Sequence, residues 1–366
     1  MSSLLLEGDS YRNFIESVSS KYTRESYTHA LKRYMSFCGV IEVNDLFFKA
    51  DAKYTQSRII DFLKFLKDKN QLSPRSRILI LAAIRHFYDM NDFTSLNWKK
   101  IRMFVGEIYT TVKDRPYTHE EIQKLLEKAN EREKVIVLLM SSTGMRQGAI
   151  HSLKLSNIQK IEKYNIYKIT VYERSKEEYY TFCTPECAAT IDNYLEFRKR
   201  YGETLKPTAP LIREEFDKLD PFHAAKPRFI STEAIERICH KLVNDSGLRN
   251  PTRINEQKKY MRYEVMTSHG LRKFFETESV KAGMNPLYAS ILMGHDNGLE
   301  TKYFKPSEND LLEGSDKMIG YIGVMDYLTI NPEHRLKRQV QELTVKASEM
   351  DQLRNEIDQI KLLLGK

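Results

Sequence analysis

Between Thr267 and Tyr303 the chain sets two histidines, an arginine and a tyrosine where they could act together on one anionic group. The stretch opens Thr-Ser-His-Gly-Leu-Arg-Lys-Phe-Phe-Glu-Thr and closes Leu-Met-Gly-His-Asp-Asn-Gly-Leu-Glu-Thr-Lys-Tyr. His269 and Arg272 are three residues apart, with apolar Leu271 and Phe275 at helical spacing, so both polar side chains share a helical face. Asn285-Pro286 reads as an N-cap followed by a first-turn proline, and Gly294 as a C-terminal cap. His295 then emerges just past a helix end, and Tyr303 follows in a polar segment. An imidazole moves protons near neutral pH, a guanidinium grips phosphate oxygens without losing its charge, and a phenol can be a nucleophile. Those abilities together point to chemistry on an anionic substrate.

Far upstream, Thr143-Gly144-Met145-Arg146 supplies a second arginine. Gly144 lets the chain turn and presents Arg146 at the start of the next helix, where a fixed guanidinium beside free backbone N–H groups suits a phosphate. Gly144-Met145-Arg146, His269-Gly-Leu-Arg272, Gly294-His295 and Tyr303, in that order, resemble the tyrosine recombinase (phage integrase) family. The detailed resemblance covers about residues 115 to 310, and the region before it fits the family's DNA-clamping domain.

The resemblance implies a mainly α fold with a small β-sheet, built as a two-domain clamp. Residues 1–112 would form a helical, SAM-like core-binding domain, and 113–330 a mixed α/β catalytic domain. Residues 331–366 would add a C-terminal helix or short coiled coil. Arg146 and Arg272 would clamp the scissile phosphate, His269 would serve as base and then as acid, and His295 would donate a further hydrogen bond. Tyr303 would attack to form a 3′-phosphotyrosyl link. Tyr288, Tyr321 and Tyr327 are nearby alternatives; Tyr303 is preferred for its distance from His295 and its polar setting. Because the protein–DNA bond conserves the phosphodiester energy, neither ATP, metal nor another cofactor is expected. The family carries a catalytic lysine on a β-hairpin. Here Lys176 lies at the tip of one, with Arg174 and Lys168 as competitors because sequence does not fix hairpin register. Two departures stand out. Ala149 occupies a position, three after the first arginine, where family members commonly carry an acid. The interval from His295 to Tyr303 is slightly shorter than expected of bacterial members; the divergent sequence and the acidic loop suggest an archaeal or mobile-element branch.

The elements that must hold these residues are legible in outline. Tyr27, Leu31, Tyr34 and Cys38 mark one helical face, Ile59, Phe62, Leu63 and Leu66 a second, and Ser73-Pro74 opens a third with Leu81, Ile84 and Tyr88 inward. Arg75, Arg77, Lys99 and Lys100, with Lys53, Arg58 and Arg102, punctuate this region among Tyr and Phe residues and read as a DNA-binding set. Residues 111–117 form a polar linker, and Thr118-His-Glu-Glu121 is a capping box that restarts helix. Ile122, Leu125, Leu126 and the run Val135 to Met140 supply a second core. Asn165 to Cys183 alternates as two strands joined at Arg174-Ser-Lys-Glu. Residues 207–228 read as a long loop or insertion, and 231–242 as helix. Arg249, Arg253, Lys258 and Lys259 make a basic, DNA-facing approach to His269. Leu336, Leu343, Met350, Ile357 and Leu364 recur every seven residues, a coiled-coil or docking stripe suited to assembly.

Bulk properties agree with this outline. At 366 residues and 41% hydrophobic content the chain can build two cores. A formal charge of +8 and a pI near 9.0 favour an anionic partner through the long-range field. Residues 1–112 hold 17 Lys/Arg against 12 Asp/Glu, so the excess is not confined to one tail. Cys38, Cys183, Cys187 and Cys239 are too few and scattered for a disulfide scaffold or a zinc set and are read as reduced thiols. The first residues lack a basic n-region, and no apolar run approaches membrane length, so a cytoplasmic, nucleoid-associated protein is expected. The expected partners are double-stranded DNA carrying a specific recombination site and further copies of the chain, as a tetramer. Two competing readings keep the same fold: a type IB topoisomerase-like relaxing enzyme, and a catalytically weakened DNA-binding protein.

Overall fold

The computed structural model describes residues 4–69, 72–93, 95–107, 114–248, 264–296, 304–315 and 317–331, with a few single positions beyond. It is mainly α-helical with two small sheets, one of three strands and one pairing Gly314–Ser315 with Met318–Ile319, and the chain divides into two compact units, Met1–Thr111 and Val112–Lys366. Among the described residues no helix is long and apolar enough to cross a membrane.

In the first unit, α1 (Asp9–Glu16), α2 (Lys21–Cys38), α3 (Ala52–Asp68), α4 (Pro74–Asp89) and α5 (Trp98–Met103) enclose one apolar core. The starts are set locally: Ser20, Asp51 and Ser73 each accept a hydrogen bond from a first-turn N–H, and Pro74 begins α4. Such a cap is worth about 1 kcal/mol. The inward residues are those that the periodicity picks out: Leu31, Tyr34, Ile59, Phe62, Leu63, Leu66, Leu81, Ile84 and Tyr88 are all buried. Arg75, Lys99 and Lys100 are exposed. Arg77 departs from the expectation of a DNA-facing residue. It is only 4% exposed, its guanidinium lies against Gly106, and burial holds its pKa below the ordinary range. The cause is its place on the inward side of α4, in register with Leu81, Ile84 and Tyr88 (i+4, i+7 and i+11), so it is not offered to a phosphate.

The second unit runs α6 (His119–Lys128), α7 (Glu131–Thr143), α8 (Gln147–Ile150), β1 (Ile158–Ile161), β2 (Ile166–Val171), β3 (Tyr179–Phe182), α9 (Pro185–Arg200), α10 (Pro221–Ala225), α11 (Thr232–Asp245), α12 (Thr267–Lys281) and α13 (Pro286–Leu292). Short helices at Glu308–Leu312 and Tyr321–Leu328 follow. Capping boxes start α6 (Thr118, Glu121) and α7 (Asn130, Glu133). From Val135 to Thr143 every residue of α7 is buried. A helix with no polar face belongs in the middle of a core, and α7 packs against both α9 and α12.

The larger sheet has three antiparallel strands in the order β1-β2-β3. Ile169 and Val171 turn into the core, while Lys168 and Thr170 turn the other way. The two strands read from the sequence are present, with Lys168 opposite Phe182 and Val171 opposite Tyr179. β1 was not foreseen, because its four residues, Ile-Gln-Lys-Ile, are too short to show a period.

Residues 207–228 are mostly irregular, with the short α10 within them, and side chains pin the stretch to the domain. Arg213, 1% exposed, donates to Glu203 and to the carbonyls of His223 and Ala224. Arg198, fully buried, shares the same Glu203 and donates to the carbonyls of Pro210 and Leu211 at 2.9 Å each. Of the heptad stripe, Met350 and Ile357 fall among the described residues, are helical, and are 55% and 50% exposed. Leu336, Leu343 and Leu364 lie outside the described residues.

Candidate active site

Three helix ends converge to build the site. α7 stops at Gly144, whose φ of +64° is left-handed, and a side chain there would put its Cβ 2.6 Å from the Phe275 ring. Only glycine fits both constraints. Met145 follows, its N–H held by the Thr143 hydroxyl, and Arg146 becomes the N-cap of α8 in extended conformation. α13 opens on Asn285, which accepts from the Leu287 N–H, with Pro286 in the first turn. It closes at Met293 and Gly294 (φ +67°), and His295 is fixed by its own N–H bond to the Ser290 carbonyl. α12 crosses beneath with Leu271, Phe274 and Phe275 buried, which carries Arg272 inward and leaves His269 exposed one turn earlier.

Both arginines act as clasps on these ends. Arg272, 6% exposed, donates to the carbonyl of Gly144 and, at 3.0 Å, to that of Met293. Arg146 is exposed and donates to the Gly294 carbonyl at 3.0 Å. Carbonyls at helix C-termini lack intrahelical partners and carry the negative end of the helix dipole, so cations are favoured there. A guanidinium has five N–H donors, so neither fork is exhausted by these bonds.

The result is a concentrated positive field. Burial and then the neighbouring Arg146 push Arg272 down to about 10. His295 is held below its ordinary 6.5, first by burial, then by Arg272, Arg146 and His269, with Glu276 opposing. An anion placed among these groups would relieve both. There is room for one: a cleft of about 1050 Å³ is lined by Arg146, Lys176, Tyr179, Gly294 and His295.

The hairpin competitors separate. Lys168 lines the cleft, but its ammonium is bound to Glu308 and sits 5.0 Å from the Tyr180 ring. Arg174 adopts φ +63° in the turn and does not line the cleft. Lys176 is exposed and lines it.

A family model described as the phage integrase family matches residues 115–309, more than half of the chain. The chain belongs to that family, the tyrosine recombinases. It is similar to tyrosine recombinase XerC of Leptospira interrogans, with 21% identity over 300 residues, spanning 79% of this chain and 84% of the relative. Among solved structures it is similar to a lambda integrase (residues 75–356) dimer bound to a COC′ core site, at TM-score 0.53 and 15% identity over 80% of this chain and 94% of that one. It is also similar to XerH recombinase bound to its difH substrate before cleavage, at TM-score 0.51 and 15% identity over 77% and 76%. These likenesses agree with the helical fold and its small sheet. As a tyrosine recombinase the chain is an enzyme of DNA strand breakage and rejoining.

Within this recombinase, Arg146, His295 and Lys176 line one cleft; Arg272 is buried, bonded to the carbonyls of Gly144 and Met293, and neither it nor His269 lines the cleft. Tyr303 lies outside the described residues, as do Arg249, Arg253, Lys258 and Lys259. Of the other tyrosines weighed as nucleophiles, Tyr288 is 2% exposed and Tyr321 is fully buried, its hydroxyl bound to the Ser142 carbonyl at 2.7 Å. Both serve the core. Tyr327 is 49% exposed and does not line the cleft. Ala149, where an acid is common, is fully buried. Sequence reasoning missed Tyr172 and Tyr179, which lie near enough to Arg146 and Arg272 to feel their charge, with Tyr179 lining the cleft. The alternating pattern placed them in or beside the strands but held no sign of which face met the arginines.

Proposed function

We propose that this recombinase cuts and rejoins double-stranded DNA at specific sites through a 3′-phosphotyrosyl intermediate on Tyr303. The observation that supports this is that Arg146, His295 and Lys176 line one cleft, with Arg272 bonded to the Met293 carbonyl two residues before His295. Tyr303 is bonded to Phe304, and both Phe304 and Asp296 line that cleft.

The chemistry follows from the groups. Cleaving a phosphodiester requires charge stabilisation on the non-bridging oxygens and a proton for the leaving oxygen. Arg146 and Arg272 clamp the non-bridging oxygens. His269 takes the phenol proton as Tyr303 attacks phosphorus, and returns it in the reverse step. His295 donates to the phosphate, and Lys176 protonates the departing 5′ oxygen. The new phosphorus–phenol bond replaces the broken phosphorus–oxygen bond, so a strand hydroxyl can later reverse the exchange without an energy source. The two units grip opposite sides of the duplex, and four copies synapse two duplexes; among the relatives, a lambda integrase tetramer is bound to a Holliday junction.

The test is a pool of nicked duplexes of random sequence, incubated with the full chain, denatured and searched for protein-linked DNA. A covalent adduct enriched in one sequence is expected. Strand transfer between two labelled duplexes bearing that sequence separates recombination from topoisomerase-like relaxation. A bound but never linked pool would leave a DNA-binding protein only.

A further inference from the structure

Residues 213–228 form a lobe whose base is locked and whose tip is apolar. At the base, Glu214 donates its N–H to the Arg228 carbonyl at 2.9 Å, and buried Arg213 donates to the carbonyls of His223 and Ala224. At the tip, the Asp217 carboxylate accepts from the Leu219 N–H, and that of Asp220 from the N–H groups of Phe222 and His223. Leu219 and Phe222 are nonetheless 91% and 81% exposed, the two most exposed large apolar side chains among the described residues. One exposed leucine is ordinary, but two such side chains on a backbone tied this firmly mark a contact surface.

Lys218, next to Leu219, lines a cleft of about 120 Å³ with Phe197, Phe216, Glu131, Glu214 and Glu215. The cleft is well below the roughly 300–1,000 Å³ of a small-molecule site, so it suits one side chain rather than a cofactor. Its present occupant shows which kind. The Lys218 ammonium lies 5.2 Å from the Phe197 ring and 5.8 Å from that of Tyr201, and Phe216 stands 6.2 and 6.1 Å from the same two rings. Aromatic faces and carboxylates both attract a cation. Glu215 is paired with Arg132 at 3.3 Å, while Glu214 makes no ion pair among the described residues. Glu214, Glu215, Asp217 and Asp220 outnumber Lys218 along the lobe, so it repels a phosphodiester and attracts a basic partner. No residue of this cleft lines the catalytic one.

We propose that the lobe docks a basic segment of a partner protein, whose lysine or arginine displaces Lys218 from the aromatic cleft while its apolar neighbours cover Leu219 and Phe222. Exchanging one cation for another over the rings changes little. The gain comes from covering the two apolar side chains, and the carboxylates select a basic sequence.

Random linear peptides displayed on phage and selected on the full chain test this, with calorimetric titration of a recovered peptide. Recovered sequences should set Lys or Arg beside aromatic or aliphatic residues. Binding should weaken about 10-fold or more in Leu219→Asp and Phe222→Asp, and about 2- to 5-fold in Glu214→Gln. Lys218→Ala should instead tighten it about 2- to 5-fold, because the resident cation is gone. Adduct formation on the nicked duplex recovered from the random pool should be unchanged in all four variants. Failure to recover a basic peptide sensitive to Leu219→Asp, weaker binding in Lys218→Ala, or loss of adduct in variants that keep their melting temperature would each overturn the inference. So would self-association of the chain that Leu219→Asp abolishes, which would give this face to a second copy.

Discussion

Arg146 and Arg272 have the same side chain and the same proposed partner, but their surroundings predict different variants. Arg146 is exposed and holds one carbonyl, so Arg146→Ala should slow adduct formation about 100- to 1,000-fold and barely move the melting temperature. Arg272 is buried, and its removal strands the carbonyls of Gly144 and Met293, each a loss of about 1–3 kcal/mol. Arg272→Ala should thus lower both activity and melting temperature, and calorimetry beside the adduct assay checks the contrast. His295 adds a pH dependence. Its folded pKa lies below 6.5, so between that value and 6.5 the unfolded chain binds more protons and folding weakens as pH falls. The free protein should lose stability below about pH 6.5, and His295→Gln should flatten that limb. A bound phosphate should raise the His295 pKa, seen as proton uptake on binding DNA.

At the scale of elements, the helices were legible because their causes are local. Ser73-Pro74, Thr118 with Glu121, and Asn285-Pro286 set helix starts through caps within three residues, and each does so in the structure. The placement of His269 and Arg272 on α12 was readable for the same reason, as was the turn at Gly144. What was not legible depends on contacts distant in the chain or on features too short to show a period. Arg77 is different: its register with Leu81, Ile84 and Tyr88 already put it on the inner side of α4, and reading it by its charge alone overlooked that. That the 207–228 loop is pinned was not legible, because Arg198 and Arg213 meet over Glu203 only after folding. That buried cluster gives a prediction of its own. Glu203→Ala leaves two guanidiniums facing each other without a counter-charge, a loss of about 3–5 kcal/mol. Chemical denaturation should show it, with limited proteolysis expected first between residues 207 and 228.

At the scale of the whole molecule, charge and architecture serve one substrate. A net charge of +8 is a modest field, so grip must come from particular cations, and exposed Arg75, Lys99 and Lys100 in the first unit are proposed among them. Replacing Lys99 and Lys100 by Ala should weaken binding to all duplexes alike and flatten the logarithmic salt dependence by about 2, at about 0.9 per lost phosphate contact. Arg77→Ala should instead disturb the fold of its own unit. The proposed chemistry depends on which atom becomes bonded to DNA. Mass spectrometry of the peptide carrying the nucleotide, after denaturation and digestion of the adduct, reads that atom directly. The linked residue is predicted to be Tyr303, and Tyr303→Phe should bind DNA with nearly unchanged affinity while yielding no adduct. A nucleotide on any other side chain, or an adduct that survives Tyr303→Phe, would contradict it.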